Sequence, residues 1–189
     1  MELVLASASP QRRALLEAAG YRFVVVAADV DELEDGVAPL ELAAANARLK
    51  AMAIAGAHPE RVVVGADTVV ALGERSFGKP ASEAEANATL ASLAGSWHEV
   101  HTGICVVADG ETRSATATTR VRFRRLSAEE IERHVALGEW RDRAGGYAIQ
   151  ESGGGLVEAL EGDHDNVIGL PVGLLAQLLP EDVQPRAGK

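Results

Sequence analysis

The sequence predicts an α/β domain, because apolar runs typical of β-strands alternate along the chain with stretches of helical composition. The most informative run is VVVGADTVVAL, from Val62 to Leu72, whose length and β-branched residues predict a strand buried on both faces. A second apolar run, Glu2–Ala6, opens the chain. Two further β-rich runs, Trp97–Ala108 and Thr112–Arg124, are joined by an Asp-Gly pair, which is a strong hairpin signal.

The predicted helices are marked by end signals or by composition. Ser9 is a good N-cap and Pro10 suits the first helical position, so a helix should start there. Ser127 and Glu130 form a capping box that starts another helix. With the stretches rich in alanine and leucine, these signals predict helices at Gln11–Ala19, Leu40–Ala57, Ala81–Ala94, from Ser127 to about Leu137, and at Val172–Leu179.

Length and composition predict one domain over residues 1–189, with a tail that frays from about Pro180. The net charge of −10 argues against a general nucleic-acid binder and against adhesion to an anionic membrane. No apolar run is long enough to span a bilayer, and the N-terminus lacks the apolar core of a signal peptide. The single cysteine, Cys105, excludes an internal disulfide, which fits a cytoplasmic protein.

A carboxylate in the middle of the central strand is the first candidate for chemistry. An ionised Asp67 among apolar residues costs several kcal/mol unless it is paired, hydrogen-bonded or bound to a metal. Two explanations stay open on residue type alone. Either Asp67 is a satisfied structural residue in a turn, or the strand breaks and points the acid into a cleft. Gly65, just before it, favours a break or the close approach of another backbone.

The loop after the first strand has the composition of an anion site. Ser7 and Ser9 precede the first helix, and Arg12 and Arg13 lie in its first turn, where cations oppose the helix dipole. Backbone N–H groups, two hydroxyls and two guanidinium groups together favour phosphate as a ligand of at least one arginine. The alternative is that both arginines are solvated surface residues.

Three other patterns are less specific. Gly73–Pro80 nearly spells a phosphate-binding loop, but its final proline lacks the hydroxyl and the N–H, so we exclude that loop and keep Lys79 as a point charge for phosphate. Lys50, on an Ala-rich helix, is of a kind that is usually solvated. Asp142–Gly155 is Gly-rich without a dinucleotide fingerprint, and its polar residues, Gln150 among them, favour a binding loop.

Six motifs, taken in order, resemble those of the Maf family of nucleoside triphosphate pyrophosphatases: SASPQRRALLEAAG, VVGADTVV, FGKP, HEVHTGICV, RAGGYAIQESGG and NVIGLPV. The resemblance covers Leu3 to about Leu179. It implies an α/β fold with a long, mixed, twisted sheet flanked by helices, and two lobes around a nucleotide cleft. It also implies hydrolysis of a nucleoside triphosphate to the monophosphate and pyrophosphate with a divalent metal.

The resemblance further implies roles for individual residues. Asp67 corresponds to the family's acceptor of the water proton, and Lys50 and Lys79 correspond to its lysines, which would stabilise developing charge. Glu32, in the acidic loop, matches a carboxylate near the metal, so Glu32 and Asp67 would hold Mg²⁺ or Mn²⁺, which prefer oxygen ligands. The residues implied to contact the triphosphate are Ser7, Ser9, Arg12 and Arg13.

Two further positions imply the base preference. Thr68 and Gln150 mark the branch of the family that prefers dTTP and UTP, and both side chains can donate and accept at a pyrimidine edge. One methyl group separates thymine from uracil and is worth roughly 1–3 kcal/mol, so we expect both nucleotides to be used. One residue departs from the pattern, because that branch commonly has an arginine where this chain has Gln11.

Two alternatives stand beside this prediction. The same chemistry could act on modified purine nucleotides such as 7-methyl-GTP or inosine triphosphate, and Gln11 is the feature that points there. The other alternative is a nucleotide-responsive regulator of cell division, since the family name is tied to septum formation. Against this alternative, the sequence has no exposed apolar stripe or charged tail that would bind a partner. The resemblance also implies a homodimer, for which the Leu-rich segment Gly169–Leu179 is either core or interface.

Overall fold

A mixed β-sheet forms the centre of the computed structural model, which describes residues 2–34 and 36–185. Its strands within those ranges are β1 Leu3–Leu5, β2 Phe23–Val25, β3 Val62–Leu72, β4 Arg75–Phe77, β5 Trp97–Ala108, β6 Glu111–Phe123 and β7 Val157–Glu161. They are ordered β2-β1-β3-β5-β6-β7, and β4 pairs with β3. β1 is parallel to β2 and β3, and the other pairs are antiparallel.

Helices flank this sheet, and their starts follow the predicted caps. In the described ranges they are α1 Pro10–Ala18, α2 Pro39–Ala55, α3 Glu83–Leu93, α4 Ala128–Ala136, α5 His164–Ile168 and α6 Val172–Leu178. The side chain of Ser9 caps α1, and Ser127 and Glu130 form both bonds of the capping box at α4. Asp109 and Gly110 adopt positive φ at the predicted hairpin. The predicted α/β fold with a mixed sheet flanked by helices is therefore confirmed.

One edge of the central strand is only partly covered. β5 pairs with β3 from Val63 to Ala71 along one edge. Along the other edge, β1 pairs with Val62–Val64 and β4 pairs with Val70–Leu72. Within the described residues, no strand covers this edge between them, at 65–69. A crevice of this kind in an open sheet is a common place for a ligand.

Two hydrophobic cores lie on one face of β3, on either side of this crevice. Val62, Val64 and Ala66 belong to the core that includes β1, α1 and α6. Val70 belongs to the core that includes β4, α3 and α4. Because side chains two residues apart share a face, Thr68 lies between the cores. The two cores correspond to the two lobes that the resemblance implies.

Helix α2 packs on the opposite face, so closely that only glycine fits beneath it. A Cβ at Gly65 would lie 2.6 Å from the backbone nitrogen of Ala51, and a Cβ at Gly103 would lie 2.6 Å from the carbonyl carbon of Ala43. The strand β3 is nevertheless continuous. Two reasons were predicted for a glycine at position 65. The close approach of another backbone is correct, and the break in the strand is wrong.

The C-terminal segment is packed beyond Pro180, where fraying was expected. Val183 is buried in the same core as Leu175 and Leu179 of the Leu-rich segment, which is therefore core. The rest of the predicted frayed tail, residues 186–189, lies outside the described residues. No helix within the described ranges is both long and apolar enough to cross a membrane.

Candidate active site

A cavity of about 550 Å³ lies at the crevice beside β3. Its wall includes the loop between β1 and α1, part of α2, the middle of β3 and the loop that follows α4. All the predicted site residues except Arg13 line it: Ser7, Ser9, Gln11, Arg12, Glu32, Lys50, Asp67, Thr68, Lys79 and Gln150. Residues from distant parts of the sequence therefore converge on one cavity.

Lys50 joins the two acidic residues of the site. Its Nζ donates to Oδ1 of Asp67 at 2.7 Å and lies 2.9 Å from Oε2 of Glu32. The side chains of Lys50 and Asp67 are only 9% and 11% exposed. The expectation of a solvated lysine is thus wrong, because Lys50 neutralises an acid that would be costly to bury alone. Asp67 lies in an unbroken strand and still lines the cavity. It is therefore neither a turn residue nor an acid exposed by a break in the strand.

Asn46 fixes the acidic loop beside this pair. Its side-chain amide accepts from the N–H of Leu33 at 2.8 Å and donates to the Leu33 carbonyl at 2.9 Å. Its Nδ2 also lies 3.4 Å from Oδ2 of Asp67. The residue after Glu32 is thereby tied to α2, which keeps Glu32 near Lys50. Asn46 was missed in the sequence as a functional residue, although its position four residues before Lys50 places both on one helix face.

Arg12 is buried, and its partners among the described residues are neutral. Its Nε donates to the Gly169 carbonyl at 2.9 Å, its Nη1 to Oγ of Ser7 at 3.0 Å and its Nη2 to Oγ1 of Thr68 at 3.0 Å. No carboxylate of the described residues forms an ion pair with it. Burial lowers the pKa of Arg12, and the negative charge of Asp67 acts in the opposite direction. A buried guanidinium stays charged and favours an anionic ligand.

Arg13 lies outside the cavity, on the exposed side of α1. Its Nε pairs with Oε1 of Glu17 one turn later at 2.8 Å, and its side chain is 62% exposed. Successive helical residues point in directions roughly 100° apart, so the wall that receives Arg12 cannot also receive Arg13. The role implied for Arg13 at the triphosphate therefore has no geometric support. The alternative that the arginines are solvated surface residues applies to Arg13 but not to Arg12.

The hydroxyl of Thr68 is already engaged. It accepts from Arg12 and lies 3.0 Å from Oγ1 of Thr102, with the Gly169 carbonyl at 3.5 Å. Thr102 donates its own proton to the carbonyl of Asn166 at 3.0 Å. The proton between the two threonines therefore belongs to Thr68. Thr68 keeps an acceptor position for a ligand but has no free donor.

Exposed polar residues complete the predicted set. Lys79 and Gln150 are exposed at the cavity, so both side chains can adjust to a ligand. The amide oxygen of Gln11 accepts from the hydroxyl of Ser9 at 3.1 Å. This bond leaves the amide nitrogen of Gln11 available as a donor.

Two arginines of the cavity were missed in the sequence. Arg141 and Arg143 both line it, in the loop that follows α4. The N–H of Gly145 donates to the carbonyl of Gly78 at 3.0 Å, which holds this loop beside Lys79. The glycines are the more conspicuous feature of this loop in the sequence. The signal that could have predicted the two arginines at the cavity is their spacing by two residues.

The acidic residues present suit a hard divalent cation. Within the described residues, no group of three or more His, Cys, Asp or Glu side chains forms a metal site by itself. Glu32 and Asp67 nevertheless contact the same ammonium group, so both carboxylates are directed at one cationic group. Two carboxylates supplemented by phosphate oxygens and water are the ligands that Mg²⁺ and Mn²⁺ prefer.

The cavity of this mixed α/β fold combines a buried acid–lysine pair with a buried guanidinium, a set of charges that suits a phosphorylated small molecule. The family model described as Maf-like protein matches residues 2–181, and the chain belongs to this family. A dTTP/UTP pyrophosphatase of Deinococcus radiodurans is 43% identical, over 94% of this chain and 91% of the relative. Proteins of the same name from Gloeobacter violaceus and Pelotomaculum thermopropionicum are 42% and 44% identical, over 96% and 94% of this chain and 96% and 95% of their own.

A solved structure, that of the Staphylococcus aureus Ham1 protein, overlaps 65% of this chain and 72% of its own chain, with a TM-score of 0.47 at 21% identity. A structural similarity with this TM-score and identity does not assign a function.

Proposed function

We propose that the protein hydrolyses dTTP and UTP, or modified pyrimidine nucleotides of the same form, to the monophosphate and pyrophosphate. The observation that carries the proposal is the buried Arg12 guanidinium, which has neutral partners and shares a cavity with the Lys50–Asp67 pair. A triphosphate carries enough negative charge to engage Arg12, Lys50 and Lys79 together. The dTTP/UTP pyrophosphatases among the relatives support this reaction and these substrates.

Asp67 is the proposed general base. When the triphosphate occupies the cavity, Lys50 can donate to a phosphate oxygen, and Asp67 is then free to bind a water molecule. Asp67 takes a proton from that water while the water oxygen bonds to the α-phosphorus. The bond between the α-phosphorus and the bridging oxygen breaks, and pyrophosphate leaves with the electron pair. Arg12, Lys50 and Lys79 stabilise the charge that develops on the phosphate oxygens.

The first-loop serines and the acidic pair complete the proposed machinery. Ser7 contacts a phosphate through its hydroxyl proton, and Ser9 does so once its own hydroxyl proton leaves Gln11. Glu32 and Asp67 would hold Mg²⁺ or Mn²⁺, and such a cation would supply Lewis-acid chemistry at a phosphoryl oxygen. Lys50 already contacts both carboxylates, so its ammonium group and a cation compete for the same oxygens.

Gln150 is the proposed reader of the base, with Gln11 and Thr68 in the same cavity. The amide of Gln150 offers a donor and an acceptor, which match a carbonyl and the ring N–H of uracil or thymine. Thr68 has only an acceptor to offer, so the single ring N–H of the base is accepted either by Gln150 or by Thr68. A purine would leave these polar groups unpaired, and such a mismatch costs more than a missing methyl group.

The family resemblance further supports a cytoplasmic homodimer. Helix α6 is not the proposed contact between subunits, because its leucines pack in the core. Sedimentation velocity tests the assembly. A species of twice the 19.8 kDa chain mass supports the dimer, and a monomer at all concentrations contradicts it.

The test of the reaction is pyrophosphate release from a panel of canonical and modified nucleoside triphosphates with Mg²⁺. We expect dTTP and UTP to be the preferred substrates of the wild type, and Asp67→Asn to abolish release while the variant remains folded. Chelation by EDTA should stop the reaction, and added Mg²⁺ should restore it. Preference for 7-methyl-GTP or inosine triphosphate would contradict the proposed base preference and move attention to Gln11. Release from no nucleotide at all would refute the proposed function.

A further inference from the structure

We propose that Thr68, Thr102 and Asn166 form a positioning network for Arg12, and that Thr68 acts on a phosphorylated substrate through Arg12 rather than through the base alone. The proposal deepens the function proposed above and rests on it. It concerns the orientation of the guanidinium group, whose free N–H groups must point at phosphate oxygens.

The N–H groups of Arg12 that remain free for a ligand follow from the hydrogen bonds it already makes within the protein. A guanidinium group has five N–H donors, and three of them are taken by Gly169, Ser7 and Thr68. Nη1 and Nη2 each keep one N–H for a ligand. Because the guanidinium is planar, fixing Nε and Nη2 also fixes the direction of these two free donors.

A chain of hydrogen bonds that begins at a group with donors only holds the Nη2 side. Arg12 can only donate, so Thr68 accepts from it and donates to Thr102, which donates to the carbonyl of Asn166. Each of these three contacts is 3.0 Å long. Thr102 and Asn166 are fully buried, so water does not compete for the bond between them.

Helix α5 and the glycine that ends it provide acceptors at both ends of this arrangement. The Asn166 carbonyl ends the hydroxyl chain, and the Gly169 carbonyl receives Nε of Arg12. Gly169 has φ of 126°, which L side chains rarely adopt, and a Cβ there would lie 3.4 Å from Oγ1 of Thr68. The positions of these two carbonyls therefore depend on each other.

The side chain of Asn166 anchors α5 to the sheet. Its Nδ2 donates to the carbonyl of Val100 at 2.9 Å and to Oγ1 of Thr119 at 3.0 Å. Its Oδ1 is buried without a partner among the described residues. An unpaired buried acceptor costs about 1–3 kcal/mol, which offsets part of what the two donated bonds contribute.

Loss of the network should let Arg12 turn toward the acids. Asp67 and Glu32 already exert an electrostatic effect on it. A direct ion pair with Asp67 would remove both the cation from the phosphates and the base from the water. The network therefore acts on catalysis by keeping these opposite charges apart.

Binding of inorganic tripolyphosphate, measured by calorimetry, separates this role from base recognition, because the probe has no base. We expect Thr68→Val and Thr102→Val each to weaken its binding by about 10-fold, the loss typical of one misaimed charged donor. Thr102→Ser, which keeps the hydroxyl, should restore affinity to within about threefold of the wild type. Thr89→Val, a buried threonine of α3 away from the cavity, should bind like the wild type.

A double-mutant cycle then tests whether the effect passes through Arg12. In an Arg12→Gln background, Thr68→Val and Thr102→Val should change tripolyphosphate affinity by less than about twofold. Equal losses in both backgrounds, or unchanged binding in both threonine variants, would overturn the network. A wild type that releases pyrophosphate from no nucleotide would refute the proposed reaction instead, since tripolyphosphate binding needs no catalysis.

Discussion

Lys50 is the residue on which both carboxylates of the site depend, so its loss should affect stability as well as activity. We predict that Lys50→Met lowers the free energy of unfolding by about 3 kcal/mol, because it leaves Asp67 buried without its cation. Urea denaturation at pH 7 measures this. Adding Asp67→Asn to Lys50→Met should recover most of the loss. Lys79→Met, at an exposed lysine, should stay within about 0.5 kcal/mol of the wild type. Equal stability of both lysine variants would contradict the argument.

The adjacent arginines provide a second comparison at the scale of single residues. Arg12→Ala should lower kcat/KM for dTTP by roughly 100-fold, because it removes a buried cation from the cavity. Arg13→Ala should change kcat/KM by less than about twofold, because Arg13 is exposed and paired with Glu17. Steady-state kinetics on the two variants decides the matter. Similar losses would mean that Arg13 also reaches the substrate.

At the scale of elements, the contact between α2 and β3 places the Lys50–Asp67 pair. We predict that Gly65→Ala destabilises the protein by about 1–3 kcal/mol, because its methyl group would meet the backbone of Ala51. It should also lower kcat by more than the loss of stability explains, since it shifts Lys50 away from Asp67. Thermal unfolding and kinetics on folded protein separate these effects.

Gly56→Ala is the matched control for this substitution. Gly56 ends α2 with ordinary helical angles and has open space around its Cβ direction. The alanine there should leave stability unchanged or raise it by about 0.4–1 kcal/mol. A Gly65→Ala variant as stable and active as Gly56→Ala would show that the close approach does not position the pair.

The same contact explains how far the sequence could predict the site. Ser9, the Ser127–Glu130 box and the hairpin glycine were predictable, because caps and turns are local signals. Asp67 was predictable because a carboxylate in an apolar run is costly. The burial of Lys50 was not, since it depends on glycines in two distant strands that let α2 approach. The resemblance supplied the members of the site, and only the folded chain separated Arg12 from Arg13.

At the scale of the whole molecule, a buried histidine links stability to pH. His98 is 2% exposed, and burial lowers its pKa to about 4. In the unfolded chain a histidine titrates near pH 6.5, so between these values the unfolded state binds more protons. The stabilising contribution of neutral His98 is thus full above pH 6.5 and is lost as the pH falls toward 4. Burial also lowers the pKa of His101 and His134, which adds to the same trend.

We therefore predict that His98 alone costs the protein about 2 kcal/mol of unfolding free energy between pH 8 and pH 5. Urea denaturation at the two pH values should show this loss in the wild type and a loss smaller by that amount in His98→Gln. His164→Gln, at an exposed histidine, serves as the control and should follow the wild type. An unchanged pH dependence in His98→Gln would contradict the assignment.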